Sequence, residues 1–232
     1  MITGVTRLVG LLGDPVSGSL SPRMQNAAFA ARGIDWAYVP LRVAAEELAD
    51  AVRGLRALGF AGANVTAPHK QAVARLCDEA EDESVNTLVI SDGRVIGSNT
   101  DREIVSGLSA SRVCLIGAGG AATALLGSLP GEVRVFSRGG EWPPDATGCD
   151  LVVNATPVRD EALVEPGRAQ AVVDLAYNSD GSATALVVAA RAAGCEVIVD
   201  GYEALVRQGA ASFERWTGVP APVDVMRAAV RP

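Results

Sequence analysis

The chain has 232 residues, 49% of them apolar, and a formal net charge of -7 at pH 7. This acidic balance, without a basic cluster, excludes a typical nucleic-acid surface. No apolar run reaches the ~18 residues that a membrane-spanning helix needs, so no membrane partner is expected.

The first predicted strand covers 7–13 (RLVGLLG) and leads to Ser19-Leu20-Ser21-Pro22 and an amphipathic run. Ser21 before a proline is typical of a helix N-cap, and that structural role alone explains this serine. Capping does not explain Ser19. Two hydroxyls near a helix N-terminus also indicate a small anion site that suits a carboxylate.

The next predicted elements are a strand, a helix and a strand, over 36–43, 44–58 and 60–65. The last of these strands delivers Asn64-Val65-Thr66-Ala67-Pro68-His69-Lys70, which contains the only lysine and the only histidine of the chain. An ammonium can give up its proton, whereas arginine stays charged at any ordinary pH. Thr66 and Lys70 are therefore predicted at a strand-to-helix corner, where α/β proteins place ligands. The alternative is a surface lysine without a function.

After a helix that runs to about Cys77, the acidic segment 78–83 is interpreted as a solvated loop. A β-hairpin follows, with strands at 86–90 and 94–96 and a turn at Asp92-Gly93. Asp101 is then interpreted either as a helix N-cap or as a functional carboxylate. The alternation of strands and helices predicts an α/β domain on a largely parallel sheet.

A second unit is predicted from about residue 111. Strand 112–116 is followed directly by Gly117-Ala118-Gly119-Gly120-Ala121-Ala122 and a helix, the context in which GxGxxA indicates a dinucleotide site. The next strand, 132–136, ends at Ser137-Arg138, where an NAD-preferring site usually carries an acid. The guanidinium of Arg138 can pair with a 2′-phosphate, which favours NADP over NAD. The alternative is an exposed loop arginine.

Further strands at 150–155, 171–175 and 196–199 and a helix at 183–193 complete a Rossmann-type domain, and helices are predicted at 203–216 and 223–230. The four cysteines lie far apart without metal-ligand spacing, so they are interpreted as buried apolar residues in a reducing compartment and no metal site is expected. With a first segment that is interpreted as a strand and not as a secretory signal, this predicts a cytoplasmic protein.

Along nearly its whole length the chain resembles the shikimate dehydrogenase family. The motifs that carry this resemblance follow the family's order: Ser19-Leu20-Ser21-Pro22, Asn64 to Lys70, Val85-Asn86-Thr87, Asn99-Thr100-Asp101, Gly117 to Ala122, Asn154-Ala155-Thr156-Pro157, Asp174 to Asn178, Gln208, Ser212-Phe213 and Trp216-Thr217-Gly218.

The resemblance implies an oxidoreductase that reduces 3-dehydroshikimate reversibly to shikimate with NADPH, in chorismate and aromatic amino acid biosynthesis. It also implies an α/β fold of two domains. A substrate domain with a mainly parallel sheet covers 1–101, a Rossmann-type NADP domain covers 102–204, and helices over 205–232 return to the substrate domain.

The same resemblance assigns roles to residues. Ser19 and Ser21 would bind the substrate carboxylate with help from Tyr177, and Lys70 and Asp101 would form the catalytic pair. The ring hydroxyls would be held by Thr66, Asn86 and Gln208. The cofactor would be held by Gly117, Gly119, Gly120, Ala121, Arg138, Asn154 and Thr156.

Several positions depart from the family pattern and keep alternatives open. Arg159 and Ile104 stand where the family usually has glycine, and Ala204 stands where methionine is usual. The alternatives are a quinate or aminoshikimate dehydrogenase and a catalytically weak ligand-binding paralogue. Ser21 favours shikimate, because quinate-using relatives often carry threonine there. The expected partners are small molecules, and the chain is expected to be a monomer or a homodimer.

Overall fold

The structure is a computed structural model that describes residues 2–231. It divides into two compact units: unit 1 comprises the chain up to Thr100 together with Gln208–Arg231, and unit 2 comprises Asp101–Arg207. The strands are β1 (Arg7–Gly13), β2 (Trp36–Arg42), β3 (Gly62–Val65), β4 (Glu79–Ala80), β5 (Thr87–Ser91), β6 (Arg94–Ser98), β7 (Arg112–Ile116), β8 (Glu132–Phe136), β9 (Leu151–Asn154), β10 (Ala171–Asp174) and β11 (Ile198–Val199). The helices are α1 (Ser21–Ala31), α2 (Leu48–Ala57), α3 (Lys70–Ala74), α4 (Gly120–Leu126), α5 (Ala185–Ala193), α6 (Gly201–Thr217) and α7 (Val223–Val230).

Unit 1 is built on a sheet with strand order β2-β1-β3-β5-β6-β4. The strands β2, β1 and β3 are parallel, whereas β5 is antiparallel to both β3 and β6. The hairpin between β5 and β6 turns at Asp92 and Gly93, whose φ angles of 51° and 71° are those of a two-residue type I′ turn. Because β3 and β5 are antiparallel neighbours, the carboxyl end of β3 and the start of β5 lie side by side at the same end of the strands.

Helices cover both faces of this sheet. On one face, Val52 and Leu55 of α2 and Val73 of α3 pack in a core with Leu12 and Leu88. The other face is covered by α1, α7 and the part of α6 that belongs to unit 1. There the Phe29 and Phe213 rings lie 5.4 Å apart. At Gly209 an added Cβ would lie 2.2 Å from Met24 Cε, so this glycine permits the close approach of two helices.

Unit 2 is a parallel sheet of order β11-β10-β9-β7-β8, the Rossmann-type arrangement that was predicted. Alternating residues of β7 face opposite sides, so Val113 and Leu115 enter one core and Cys114 and Ile116 the other. The helices α4 and α5 connect β7 to β8 and β10 to β11. In this described part of the chain, the connections from β8 to β9 and from β9 to β10 contain no helix, although parallel crossovers usually do.

Some local predictions differ from the structure. Ser21 is the first residue of α1 and not its cap, because Leu20 precedes it as the N-cap and makes no side-chain cap hydrogen bond. The predicted helix over 44–58 begins as a short 3₁₀ turn before α2. Asp101 is followed by a 3₁₀ turn, Asp101–Ile104, and not by an α-helix.

Candidate functional site

Backbone hydrogen bonds fix the corner between β3 and α3. The Thr66 N–H donates to Leu12 O at 2.9 Å, and the His69 N–H donates to Thr66 O at 3.0 Å. The buried His69 ring is fixed in turn, because its Nε2 lies 2.7 Å from the Val43 carbonyl oxygen. Lys70, the first residue of α3, is half-buried. Its carbonyl accepts from the Val85 N–H at 3.0 Å, which links the start of the helix to the segment before Asn86.

The side-chain amide of Asn86 has a defined orientation. Its Oδ1 accepts hydrogen bonds from the Thr100 N–H at 2.8 Å, from Thr100 Oγ1 at 3.1 Å and from Thr87 Oγ1 at 2.9 Å. Since these partners occupy the oxygen, the Nδ2 end is directed to Gln208 Oε1, 3.5 Å away. The two predicted hydroxyl-binding residues Asn86 and Gln208 therefore lie together, with an amide donor held between them.

A second buried amide supports the first. Asn64 Nδ2 lies 3.0 Å from Asn86 O, 3.1 Å from Thr87 Oγ1 and 3.0 Å from Ser212 Oγ. Its Oδ1 accepts from the Tyr38 hydroxyl at 2.9 Å. Sequence reasoning missed Tyr38 and assigned no role to Asn64 or Ser212, although both lie in the quoted motifs.

The two predicted carboxylate-binding serines connect to this network. Ser19 Oγ accepts from the Ser21 N–H at 3.2 Å, so the two residues are neighbours. Burial raises the pKa of Tyr38 far above its usual value, and a hydrogen bond with the Ser21 side chain opposes this rise. The tyrosine is thus a neutral donor at ordinary pH. A continuous path of hydrogen bonds leads from Ser21 through Tyr38 and Asn64 to Asn86.

The glycine-rich turn of unit 2 has the geometry that its sequence predicts. Gly117 follows β7 with a φ of +117°, and an added Cβ would lie 3.1 Å from Ala155 O, so a side chain is excluded for two reasons. Gly119 and Gly120 differ, because an added Cβ would meet no heavy atom within 4 Å at either position. The backbone of this turn is open to an approaching ligand. Ala121 follows within the first turn of α4.

A cavity of about 340 Å³ lies beside this turn. We call it the dinucleotide cavity, and its lining consists of Gly117, Ala118, Gly119, Ser137, Arg138, Trp142, Ala155, Thr156, Pro157, Val158 and Leu163. The exposed Arg138 guanidinium lies 5.8 Å from the centre of the Trp142 ring. An open glycine backbone, a cation and an apolar wall fit a phosphate-bearing nucleotide.

Asn154 is a buried residue that supports one wall of the dinucleotide cavity through its hydrogen bonds to Thr156. It is 2% exposed, and its Oδ1 accepts from the N–H and from Oγ1 of Thr156 at 3.0 and 2.7 Å. Its Nδ2 donates to the buried Asp174 carboxylate at 2.9 Å, and Thr184 Oγ1 donates to the same carboxylate. Thr156 therefore lines the cavity, whereas Asn154 positions it.

The remaining predicted residues lie in unit 2. Asp101 is 7% exposed and begins the 3₁₀ turn, and the half-buried Tyr177 has its ring 5.4 Å from the Tyr202 ring. The predicted residues thus divide between the units. Unit 1 holds Ser19, Ser21, Thr66, Lys70, Asn86 and Gln208, and unit 2 holds Asp101, Tyr177 and the predicted cofactor residues.

The cysteines offer no reactive thiolate. Burial raises the pKa of Cys114 to about 12 and that of Cys77 to about 11, so both thiols stay protonated at neutral pH. Within residues 2–231 no cluster of three or more histidine, cysteine or acidic residues has the arrangement of a metal site. In the same part of the chain, no helix is long and apolar enough to cross a membrane.

Two family models match the chain. The shikimate dehydrogenase substrate binding domain matches residues 11–88, and the shikimate 5'-dehydrogenase C-terminal domain matches residues 201–231. The first of these matches includes the Lys70 corner and Asn86.

Individual relatives cover almost the whole chain. Shikimate dehydrogenase (NADP(+)) of Rubrobacter xylanophilus is 42% identical over 99% of this chain and 97% of the relative. A solved shikimate dehydrogenase in complex with NADP+ is 31% identical with a TM-score of 0.87, over 99% of this chain and 96% of that one. The Thermus thermophilus enzyme in complex with NADP(H) and shikimate is 28% identical with a TM-score of 0.83, over 97% and 98% of the two chains. The alignment with the Rubrobacter protein spans 282 positions, so parts of that relative have no counterpart among these 232 residues.

Proposed function

The chain belongs to the shikimate dehydrogenase family, and we propose from this premise that it is an NADP-dependent oxidoreductase that reduces 3-dehydroshikimate reversibly to shikimate. One observation carries the proposal. The only lysine of the chain lies at a strand-to-helix corner within the region that the substrate-binding domain model matches. This reaction belongs to chorismate and aromatic amino acid biosynthesis.

Lys70 is proposed as the proton donor in reduction and the acceptor in oxidation. Bound NADPH supplies the hydride. The reduced carbonyl oxygen then needs a proton and a nearby positive charge, and an ammonium provides both. Asp101 is proposed as the second catalytic residue, and its burial and its position in the motif Asn99-Thr100-Asp101 support this role.

Substrate binding is assigned to polar side chains of unit 1, with Tyr177 of unit 2 as a further contact. Ser19 and Ser21 are proposed for the carboxylate, and the hydrogen bond from the Ser21 N–H to Ser19 Oγ, which brings the two residues together, supports this proposal. Thr66, Asn86 and Gln208 are proposed for the ring hydroxyls. The support is strongest for Asn86, whose oxygen is occupied and whose amide nitrogen faces Gln208, the other proposed hydroxyl-binding amide.

The cofactor is proposed to bind along the dinucleotide cavity. Gly119 and Gly120 offer open backbone for the pyrophosphate, with Gly117 and Ala121 on either side of them in the same segment, and Arg138 offers a cation for a 2′-phosphate. Thr156, fixed by Asn154, completes the wall. We propose domain boundaries at 1–101, 102–204 and 205–232.

We also propose that the enzyme acts in the cytoplasm as a monomer or homodimer. Four free cysteines, two of them buried, support a reducing compartment. Analytical ultracentrifugation of the purified chain decides the oligomeric state, and a larger assembly would contradict the proposal.

The experiment that tests the function follows NADPH or NADH formation by absorbance. Shikimate, quinate and aminoshikimate are each supplied with NADP or NAD. We expect the highest kcat/KM for shikimate with NADP. Measurable shikimate binding without turnover in any combination would instead identify a ligand-binding paralogue.

A further inference from the structure

Trp142 lies in the wall of the dinucleotide cavity, and neither the motifs nor the family resemblance gave it a role. Its side chain is 39% exposed, and it lines the cavity together with the glycine-rich turn and Arg138. Single exposed apolar residues are common on protein surfaces, so exposure alone has no significance. The position of Trp142 in a concave wall beside the glycine-rich turn is significant, because a ligand bound in the cavity would contact its ring.

The short connection between β8 and β9 explains how Trp142 reaches this wall. After β8 the chain forms a tight turn, in which the Ser137 N–H donates to Glu141 O at 3.0 Å and the Gly140 N–H donates to Ser137 O at 2.9 Å. The Glu141 carboxylate also pairs with Arg134 of β8 at 2.7 Å. These bonds bring the residue after Glu141 back beside Arg138.

The lining of the cavity combines two kinds of group. Polar and backbone groups come from the glycine-rich turn, Ser137 and Arg138. Apolar side chains come from Trp142, Pro157, Val158 and Leu163. A nucleotide combines the same two kinds of group, since its phosphates are charged and its purine has two flat apolar faces. The volume of about 340 Å³ lies in the range of small-molecule sites.

We propose that Trp142 is a cofactor-binding residue of this chain that contacts the adenine ring, while Arg138 binds the phosphate on the adenosine ribose. The proposal rests on the proposed NADP-dependent function and assigns one further residue to it. Aromatic residues suit this role because every purine presents a π-face for stacking. The guanidinium over the indole also restricts Arg138 to the same part of the wall.

The two roles are separable because adenine is common to both cofactors, whereas the 2′-phosphate belongs to NADP alone. The probes are 2′,5′-ADP, which carries that phosphate, and 5′-ADP, which does not. Their dissociation constants are measured by isothermal titration calorimetry, so that no turnover is required. A failed dehydrogenase assay therefore contradicts the proposed function, while these titrations decide the role of Trp142 independently.

We expect Trp142→Ala to weaken the binding of both probes, each at least about fivefold, as the loss of a base–aromatic stack predicts. Trp142→Phe should bind both probes within about twofold of wild type, because it keeps an aromatic face. Val135→Ala is the matched control, since Val135 is also 39% exposed, on β8, but does not line the cavity. It should change neither constant.

A loss confined to 2′,5′-ADP would overturn the proposal, because Trp142 would then act only through Arg138. A change below twofold for both probes would overturn it as well. Should Trp142→Ala not fold, the indole fluorescence of the wild type decides. A change on adding 5′-ADP that disappears in Trp142→Phe supports the contact, and a change that persists in that variant contradicts it.

Discussion

The two units hold their functional residues at the ends of strands by different means. In unit 1 the polar side chains are enclosed: Asn64 and Asn86 are 6% and 2% exposed and take part in one hydrogen-bond network. In unit 2 the groups that are proposed to face the ligand are open, namely the backbone of Gly119 and the exposed side chain of Arg138. In unit 1 the buried network contains the predicted binding residue Asn86 itself. In unit 2 the buried Asn154 and Asp174 lie behind the cavity wall and support it.

The difference follows from the ligands that the units are proposed to bind. Neutral ring hydroxyls compete poorly with water, so their recognition needs donors that are fixed and shielded from solvent. Phosphates are charged, and charge-assisted hydrogen bonds stay effective at a partly solvated surface. We therefore expect unit 2 to bind its ligand with fewer supporting helices, since among the described residues its connections from β8 to β9 and from β9 to β10 contain none.

The largest effect should come from replacing Lys70. We expect Lys70→Met and Lys70→Arg each to lower kcat more than about 100-fold, the usual scale of general acid–base catalysis. The KM for NADP should change less than about twofold, because the cofactor is assigned to unit 2. Steady-state kinetics measures both constants.

Arg75→Met is the matched control for this prediction. Arg75 follows the last residue of α3, the same short helix, and is exposed. The control removes one positive charge nearby and should leave kcat unchanged. Turnover within tenfold of wild type in either Lys70 variant would remove Lys70 from the catalytic role.

The second effect concerns the enclosed network of unit 1. Asn64→Leu removes the acceptor of the buried Tyr38 hydroxyl and the donor to Asn86 O. The loss of these buried hydrogen bonds should lower the free energy of unfolding by about 2–3 kcal/mol, although Asn86 O still accepts from the Val65 N–H and Tyr38 still has its Ser21 bond. Urea denaturation measures this loss, and the KM for shikimate should rise because the path to Asn86 is broken.

Ser212→Ala provides the graded comparison. It removes one of three acceptors near Asn64 Nδ2 and leaves Asn86 O and Thr87 Oγ1 in place. We expect a loss of about 1 kcal/mol. An Asn64→Leu variant that is no less stable than Ser212→Ala would show that the network does not stabilise unit 1 as described.

The third effect concerns the open surface of unit 2. Arg138→Ala should raise the KM for NADP about tenfold, the value of one charge-assisted contact, and leave the KM for NAD unchanged. Its free energy of unfolding should stay within about 0.5 kcal/mol of wild type, since the side chain is exposed. Arg168→Ala is the control, because Arg168 is also exposed but does not line the cavity, and it should leave both KM values unchanged. Equal losses with NADP and NAD would contradict a role in binding the 2′-phosphate.

Local signals predicted the elements that depend on local structure. The bounds of β8 and α7 agree with the predicted ranges, and the turn at Asp92-Gly93 has the predicted geometry. The errors occur where the surrounding structure decides the end of an element. The helix after the Lys70 corner was predicted to Cys77 but ends at Ala74, and the short strand β4 begins at Glu79, where a loop was expected.

The hydrogen bonds that join Asn64 to Tyr38 and Ser212 could not be predicted from the sequence, for a physical reason. Ser212 is 148 positions from Asn64 in the sequence, and Tyr38 is 26 positions from it. Periodicity and spacing describe neighbours along a helix or a strand, so they carry no information on such pairs. The family motifs contain Thr87 and Thr100, which orient the Asn86 amide, but they assigned no role to either residue.

The smallest effect is a pH dependence in the buried support of the cavity wall. Burial raises the pKa of Asp174 above its usual value, although hydrogen bonds from Thr184, from the Ala176 N–H and from Asn154 oppose the rise. The folded protein then holds this proton more tightly than the unfolded chain does. The stability that Asp174 contributes is therefore fully present below the usual aspartate pKa and is lost as the pH rises through the folded pKa.

In Asp174→Asn this dependence is absent, while the amide can still accept from Asn154. We expect the free energy of unfolding of wild type minus that of Asp174→Asn to decrease as the pH is raised from 4 towards neutrality, measured by urea denaturation at each pH. Because three hydrogen bonds oppose the desolvation, the change should be smaller than the loss in Asn64→Leu. A difference that grows with pH would mean that the carboxylate is stabilised in its charged form, and that unit 2, like unit 1, depends on an enclosed network of satisfied polar groups.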